Sequence, residues 1–257
     1  MGSEATLEVG DAVGVITIDN PPVNALHPRV SDAILDCLVE LERRPDVRCV
    51  VLSATGKHFV AGADLDYVAS IDRTEAERYA LGVQAMQDRI GTIPQPVVAA
   101  INGTALGGGC ELAMACDVRI AEERAVFGQP EVTLGLIPGA GGTQNLPRLV
   151  GQGRAKRMLF TGERIGADQA LEIGLVDEVV EDGTALDAAL ALARRIAVNA
   201  PLAVTAAKRA VTLGMQMSNL DAHRMEATLF AALADTQDLQ EGIAAFFEKR
   251  TPQFERG

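Results

Sequence analysis

With 257 residues, 48% of them hydrophobic and 23% charged, the chain is long enough to bury a substantial core and lacks the apolar deficit of a disordered protein. Its net charge of −12 excludes a generic nucleic-acid or anionic-membrane binder, because both need a basic face. Cys37, Cys49, Cys110 and Cys116 lie in apolar segments without zinc-type spacing or disulfide density, so they read as reduced core thiols of a cytoplasmic protein.

The first residues, Met1 to Val9, carry no basic start followed by an apolar stretch, which speaks against a secretory signal. Val13 to Ile18 and Arg48 to Ser53 are β-branched runs closed by turn formers, and both predict strands. Between them Val30, Ile34, Cys37, Leu38 and Leu41 recur at helical spacing, with Pro28 suited to the first turn and Pro45 stopping the pattern. Lys57 to Leu65 reads as a loop, with Asp64 suited to capping the helix after it.

Thr74-Glu75-Ala76-Glu77 is a capping-box pattern that predicts the start of another helix, whose apolar face runs through Tyr79, Val83, Met86 and Ile90 and ends before Pro94. A third strand, Pro96 to Ile101, leads into Asn102-Gly103, the glycines Gly107 to Gly109, and an apolar helix from Cys110 to Cys116. The uncharged run from Ile90 to Cys110 is too broken by prolines, glycines and Asn102 to be a membrane span. Val118 to Ile120 and Ala125 to Phe127 predict further short strands.

From about residue 153 the texture turns to helix with little strand, and the acidic run between residues 161 and 187 is expected to be a solvated face. Leu239, Ile243, Phe246 and Phe247 form an apolar helical stripe expected to pack on a neighbouring subunit or back onto the core. Strands alternating with helices predict an α/β domain whose ligands sit in the loops at strand ends.

Three segments carry chemistry. The glycines before the helix at Cys110 let backbone approach a ligand, and the amides of a first helical turn favour negative charge. Glu111 sits in that turn, where burial of a carboxylate is costly unless it is hydrogen-bonded or functional; taken alone it reads equally as a group that satisfies the helix terminus. Twenty residues on, Phe127-Gly128-Gln129-Pro130-Glu131 brings a second carboxylate, which alone would read as an exposed loop acid. Two carboxylates at one anion-favouring site suit general acid/base work.

His27, His58 and His223 are scattered and read as solvated or capping residues, so no metal is expected. The glycine runs lack a Walker lysine and a dinucleotide fingerprint, so neither ATP nor NAD is implied.

Taken in order, Pro-Pro-Val-Asn-Ala-Leu at 21–26, Ala-Gly-Ala-Asp-Leu at 61–65, Asn-Gly-Thr-Ala-Leu-Gly-Gly-Gly-Cys-Glu-Leu-Ala at 102–113, Phe-Gly-Gln-Pro-Glu at 127–131, Pro-Gly-Ala-Gly-Gly-Thr-Gln at 138–144 and Glu-Gly-Ile-Ala-Ala-Phe-Phe-Glu-Lys-Arg at 241–250 resemble the crotonase superfamily, most closely its enoyl-CoA hydratases. The resemblance implies a spiral core of β-β-α units over residues 1–195 and a helical C-terminal region over 196–257 that builds a homotrimer or a hexamer. It implies an acyl-CoA thioester substrate, with no cofactor beyond its CoA. The thioester carbonyl would rest on the backbone N–H groups of Ala63 and Gly108, with Ala61, Asp64, Leu65 and Lys249 as further CoA or substrate contacts.

By the same resemblance Glu111 positions and activates a water and Glu131 exchanges a proton at the α-carbon, which implies hydration of a 2-enoyl-CoA. Enoyl isomerisation, thioester hydrolysis and a catalytically silent scaffold are the alternatives. Asp66 departs from the pattern, because many relatives carry a lysine there; either its side chain points away, or Lys57, Lys208, or Lys249 or Arg250 from a neighbouring subunit compensates near the CoA phosphates. Thr104 and Asn145 also depart from common residues and leave the acyl preference open.

Overall fold

A computed structural model describes residues 4–255. It opens with β1 (Ala5–Gly10) and β2 (Val13–Ile18), an antiparallel hairpin whose turn residues Asp11 and Ala12 both have positive φ, the handedness that matches strand twist. α1 (Pro28–Glu42) starts with His27 as N-cap, accepting from the Arg29 N–H, and buries the Val30, Ile34, Cys37, Leu38, Leu41 stripe.

β3 (Cys49–Ala54), β4 (His58–Val60), α2 (Leu65–Ser70) and α3 (Arg73–Thr92) follow. Next come β5 (Val97–Ile101), β6 (Thr104–Leu106) and α4 (Gly108–Ala115). A third round has β7 (Val118–Glu122), β8 (Val126–Gly128), a 3-10 turn Glu131–Leu134 and α5 (Gly142–Val150). The chain continues through α6 (Gln152–Thr161), β9 (Arg164–Gly166), α7 (Ala167–Glu172), β10 (Glu178–Val180) and α8 (Ala185–Ala197), and then α9 (Pro201–Gly214), α10 (Asn219–Ala232) and α11 (Gln237–Glu248).

The three strand-strand-helix rounds stack into a spiral. Their first strands join a six-stranded sheet ordered β1-β2-β3-β5-β7-β10, and their second strands a four-stranded sheet ordered β4-β6-β8-β9. Within each sheet the strands of successive rounds pair in parallel. Parallel strands covered on both faces read as continuous apolar runs, and every residue of β3 and β5 is buried. One face of the larger sheet receives Ala185, Ala189 and Ala193 of α8, small enough for close approach to Val51, Val98 and Ile120. This is the expected α/β spiral, and all four cysteines are buried free thiols within it.

Several expectations need correction. The capping box is formed by Asp72 and Glu75, so α3 begins at Arg73, one turn fragment before the Thr74 start. Asp72 precedes Arg73, and the charged start masked the boundary. The Lys57–Leu65 segment is not all loop, because His58–Val60 pairs with β6. β1 is also additional, and so are the three-residue strands β6, β9 and β10, in which so few residues give no period to recognise.

The C-terminal stripe does not return to the core. Leu239, Ile243, Phe246 and Phe247 are 41%, 50%, 78% and 76% exposed on this chain. No single helix among the described residues is long and apolar enough to cross a membrane.

Candidate active site

The site is assembled where β6 turns into α4. Gly107 takes φ +50° and ψ −123°, a conformation costly for a residue with a side chain. The helix it launches is buried from Gly108 through Met114. The Gly107 N–H donates to Gly128 O and the Glu111 N–H closes the first turn on Gly107 O. The Gly108 N–H finds no acceptor among the described residues, as expected for the first amide of a helix without a side-chain cap.

The Ala61–Asp64 segment lies against this turn through Leu26. Leu26 and Ala63 form an isolated parallel bridge, with the Leu26 N–H donating to Gly62 O at 2.8 Å and the Asp64 N–H to Leu26 O at 3.0 Å. In a parallel bridge of this register the N–H of the bridged residue points away from its partner, so the Ala63 amide is free of the Leu26 strand. A Cβ at Gly107 would lie 3.9 Å from Gly62 Cα, and one at Gly108 would lie 2.9 Å from Leu26 Cδ1. The two amide-bearing segments are thus neighbours with Leu26 between them.

Both acids reach the same turn. Glu111 is 2% exposed, and its Oε1 accepts from the N–H groups of Ala140 at 2.8 Å and Gly142 at 2.7 Å. Burial raises its pKa above the usual carboxylate value, and the Gly142 and Ala140 amides partly offset that. Glu131 enters the 3-10 turn after Pro130, and its Oε1 stands 2.6 Å from the position a Cβ would take on Gly107. Burial pushes its pKa up to about 7; a hydrogen bond from its own N–H opposes this, and the Glu111 charge adds to it.

Gln129, fully buried, lies between the acids. With its amide nitrogen turned toward Glu131 it donates to Oε1 at 3.1 Å and Oε2 at 3.2 Å. The other side of the same amide faces Gly142, one of the two residues that hold Glu111. Sequence reasoning singled out neither Gln129 nor the Ala140 and Gly142 amides, although all three lie inside the quoted 127–131 and 138–144 segments.

The remaining predicted contacts are more scattered. Ala61 donates its N–H to Val23 O, Asp64 caps α2 by accepting from the Tyr67 N–H at 3.0 Å, and Leu65 is 53% exposed. Asp66 is exposed in the first turn of α2, and Lys249 ends α11 in a left-handed conformation on the surface. Lys208 is not available for a phosphate: its Nζ is buried against Ile90 O, Gln95 O and the Asp117 carboxylate. Arg250 is held by Glu241 and Glu248, while Lys57 is exposed. Among the described residues no cluster of three or more His, Cys, Asp or Glu side chains could hold a metal.

A family model described as enoyl-CoA hydratase/isomerase matches residues 8–257. The chain belongs to the enoyl-CoA hydratase/isomerase family. Within this family it is 43% identical to the short-chain-enoyl-CoA hydratase of Clostridium acetobutylicum over 246 residues, 95% of this chain and 94% of that protein. It is also 43% identical to the crotonyl-CoA hydratase of Syntrophomonas wolfei over 250 residues, 96% of each. The crystal structure of the enoyl-CoA hydratase of Bacillus anthracis superposes with a TM-score of 0.96 at 38% identity, covering 99% of this chain and all of that one. The family's shared frame accounts for the spiral.

Proposed function

We propose that the protein is an enoyl-CoA hydratase that adds water across the double bond of a 2-trans-enoyl-CoA to give a 3-hydroxyacyl-CoA. The thioester oxygen rests on the N–H groups of Ala63 and Gly108, which are preorganised for the negative charge that develops as the enolate forms. The water is held between Glu111 and Glu131. Its oxygen bonds to C3 as Glu111 takes one of its protons, the π electrons move toward the thioester, and Glu131 delivers a proton to C2. Return of the proton from Glu111 to Glu131 through water resets the pair.

The observation that carries this reading is the convergence of two carboxylates with raised pKa values on the turn that presents the Gly108 amide. One proton shared by the pair supplies both an acid and a base, which the addition of water requires. Isomerisation of a double bond needs a single shuttle and would leave the second acid without a role. A silent scaffold gives no use for an acid poised near neutrality.

The test is loss of the conjugated-thioester absorbance of crotonyl-CoA on adding the protein. Rapid loss with formation of 3-hydroxybutyryl-CoA supports the reading, and an unchanged spectrum at high protein concentration contradicts it.

No cofactor beyond the substrate's CoA enters this chemistry, and a cytoplasmic location fits its four unpaired buried thiols. Residues 196–257 serve as the assembly region of a homotrimer or hexamer. Leu202 of α9 and Leu239, Ile243, Phe246 and Phe247 of α11 line an apolar groove of about 630 Å³ there, and Phe230 of α10, Val211 of α9 and Met215 at its end stand 78%, 67% and 72% exposed. Apolar surface on that scale is expected to be covered by a second copy.

A further inference from the structure

We propose that Tyr79 is a positioning residue for the oxyanion site, acting through the backbone carbonyl of Leu26. The inference rests on the hydratase reading and adds a residue outside the motifs that define the site. Tyr79 projects from α3, half-buried, and its hydroxyl donates to Leu26 O at 2.6 Å. That carbonyl also accepts the Asp64 N–H at 3.0 Å, and the Leu26 N–H donates to Gly62 O at 2.8 Å. These two ladder bonds flank Ala63 and set where its own amide points.

The side chain of Leu26 reaches the other donor. Its Cδ1 is 2.9 Å from the position a Cβ would occupy on Gly108. One residue therefore touches both segments that present the Ala63 and Gly108 amides, and the Tyr79 hydroxyl ties that residue to α3. The tyrosine is itself braced by edge-to-face contacts, with Tyr67 at 5.4 Å between ring centroids and His27 at 4.9 Å beyond it. His27 follows Leu26 in the chain, so the path of contacts closes on itself. Burial raises the pKa of the Tyr79 phenol, keeping it a donor over the working pH range.

Oxyanion donors act only when held within about 0.5 Å of the productive geometry, so a slack Leu26 segment is felt in the transition state more than in binding. Tyr79→Phe keeps the ring and its stacking and removes only the donor. The expected result is a fall in kcat of at least about 10-fold with KM changed by less than about 3-fold. Bound cinnamoyl-CoA, whose absorbance moves to the red as its carbonyl is polarised, is expected to shift less in the variant than in the wild type.

A merely structural role would lower the melting temperature while leaving the red shift and kcat of the folded enzyme intact, and that outcome overturns the proposal. If Tyr79→Phe fails to fold, 4-fluorophenylalanine placed at position 79 fills the space of the hydroxyl without an O–H to donate to Leu26 O. A diminished red shift with that replacement supports the proposal and a full one overturns it. A wild-type protein that reddens cinnamoyl-CoA but hydrates no enoyl-CoA defeats the hydratase reading alone, and the red shift still judges Tyr79.

Discussion

Glu131 and Glu111 address adjacent glycines of one turn: Glu131 Oε1 lies 2.6 Å from where Gly107 would carry a Cβ, and Glu111 Oε2 lies 3.9 Å from the equivalent point on Gly108. Acids so placed lose function when made into amides, which keep the shape and abolish proton transfer. Glu131→Gln is expected to lower kcat by about 10²- to 10⁴-fold, the range of a general acid or base, while the Kd for a saturated acyl-CoA stays within about 3-fold. Steady-state kinetics with calorimetric titration of butyryl-CoA check both halves.

The shared proton sets a pH dependence. The active form of the pair carries one proton, and Glu131 releases it near pH 7. kcat/KM for hydration is therefore expected to fall as pH rises above about 7, by roughly tenfold per unit at the limit. Because the overall reaction neither takes up nor releases a proton, dehydration of 3-hydroxybutyryl-CoA is expected to show the same profile. Rates measured in both directions across the range check this, and opposite slopes contradict it.

Stability responds to the same group. The folded-state pKa of Glu131 lies above its ordinary value of 4.5, so its contribution is fully present below that value and is lost as pH rises through about 7. Glu131→Gln removes this loss. The variant is expected to show a smaller drop in Tm between about pH 5 and about pH 8 than the wild type, measured by calorimetry.

Glu111 is aimed by a loop with no spare room. A Cβ on Gly142 would lie 2.8 Å from the side-chain amide of Gln129, 2.8 Å from Pro138 Cβ and 2.9 Å from Glu111 Oε1. Gly142→Ala is expected to destabilise the fold by about 1 to 3 kcal/mol, the usual cost of overpacking, and to lower kcat by at least about tenfold. Thermal unfolding and turnover measured on the same preparation check the pair of effects.

The exposed C-terminal aromatics predict assembly. Phe246 and Phe247 stack edge to face at 5.8 Å with most of their surface open. The double variant Phe246→Asp and Phe247→Asp is expected to shift the mass seen by light scattering from a trimer or hexamer to a monomer. A wild-type protein that is already monomeric contradicts the assignment of residues 196–257.

The sequence made the spiral legible where apolar runs were long, as in Val13 to Ile18 and Pro96 to Ile101, and where prolines marked the ends of α1. It was silent on β6, β9 and β10, because three residues hold no period, and it misplaced the start of α3, where Asp72 rather than Thr74 supplies the capping oxygen. Glu111 and Glu131 stood out as acids in apolar or motif-bearing segments. Their meeting at one site was implied by the resemblance and not by spacing, because it depends on the pairing of β6 with β8, which brings Gly107 beside Gly128. Tyr79 read as one more member of a helical stripe, and only its hydroxyl's target distinguishes it. Lys208 looked like a free cation in sequence because its three partners, Ile90, Gln95 and Asp117, lie more than ninety residues away in two other segments.

The most direct measurement is a double-mutant cycle on the two acids, reading kcat for crotonyl-CoA hydration in Glu111→Gln, Glu131→Gln and the combined variant. Groups that act as one unit on one substrate are non-additive, so the combined loss is expected to exceed the larger single loss by no more than about tenfold. Single variants that hydrate at near wild-type rates, or losses that multiply as they do for distant sites, would contradict a shared catalytic pair.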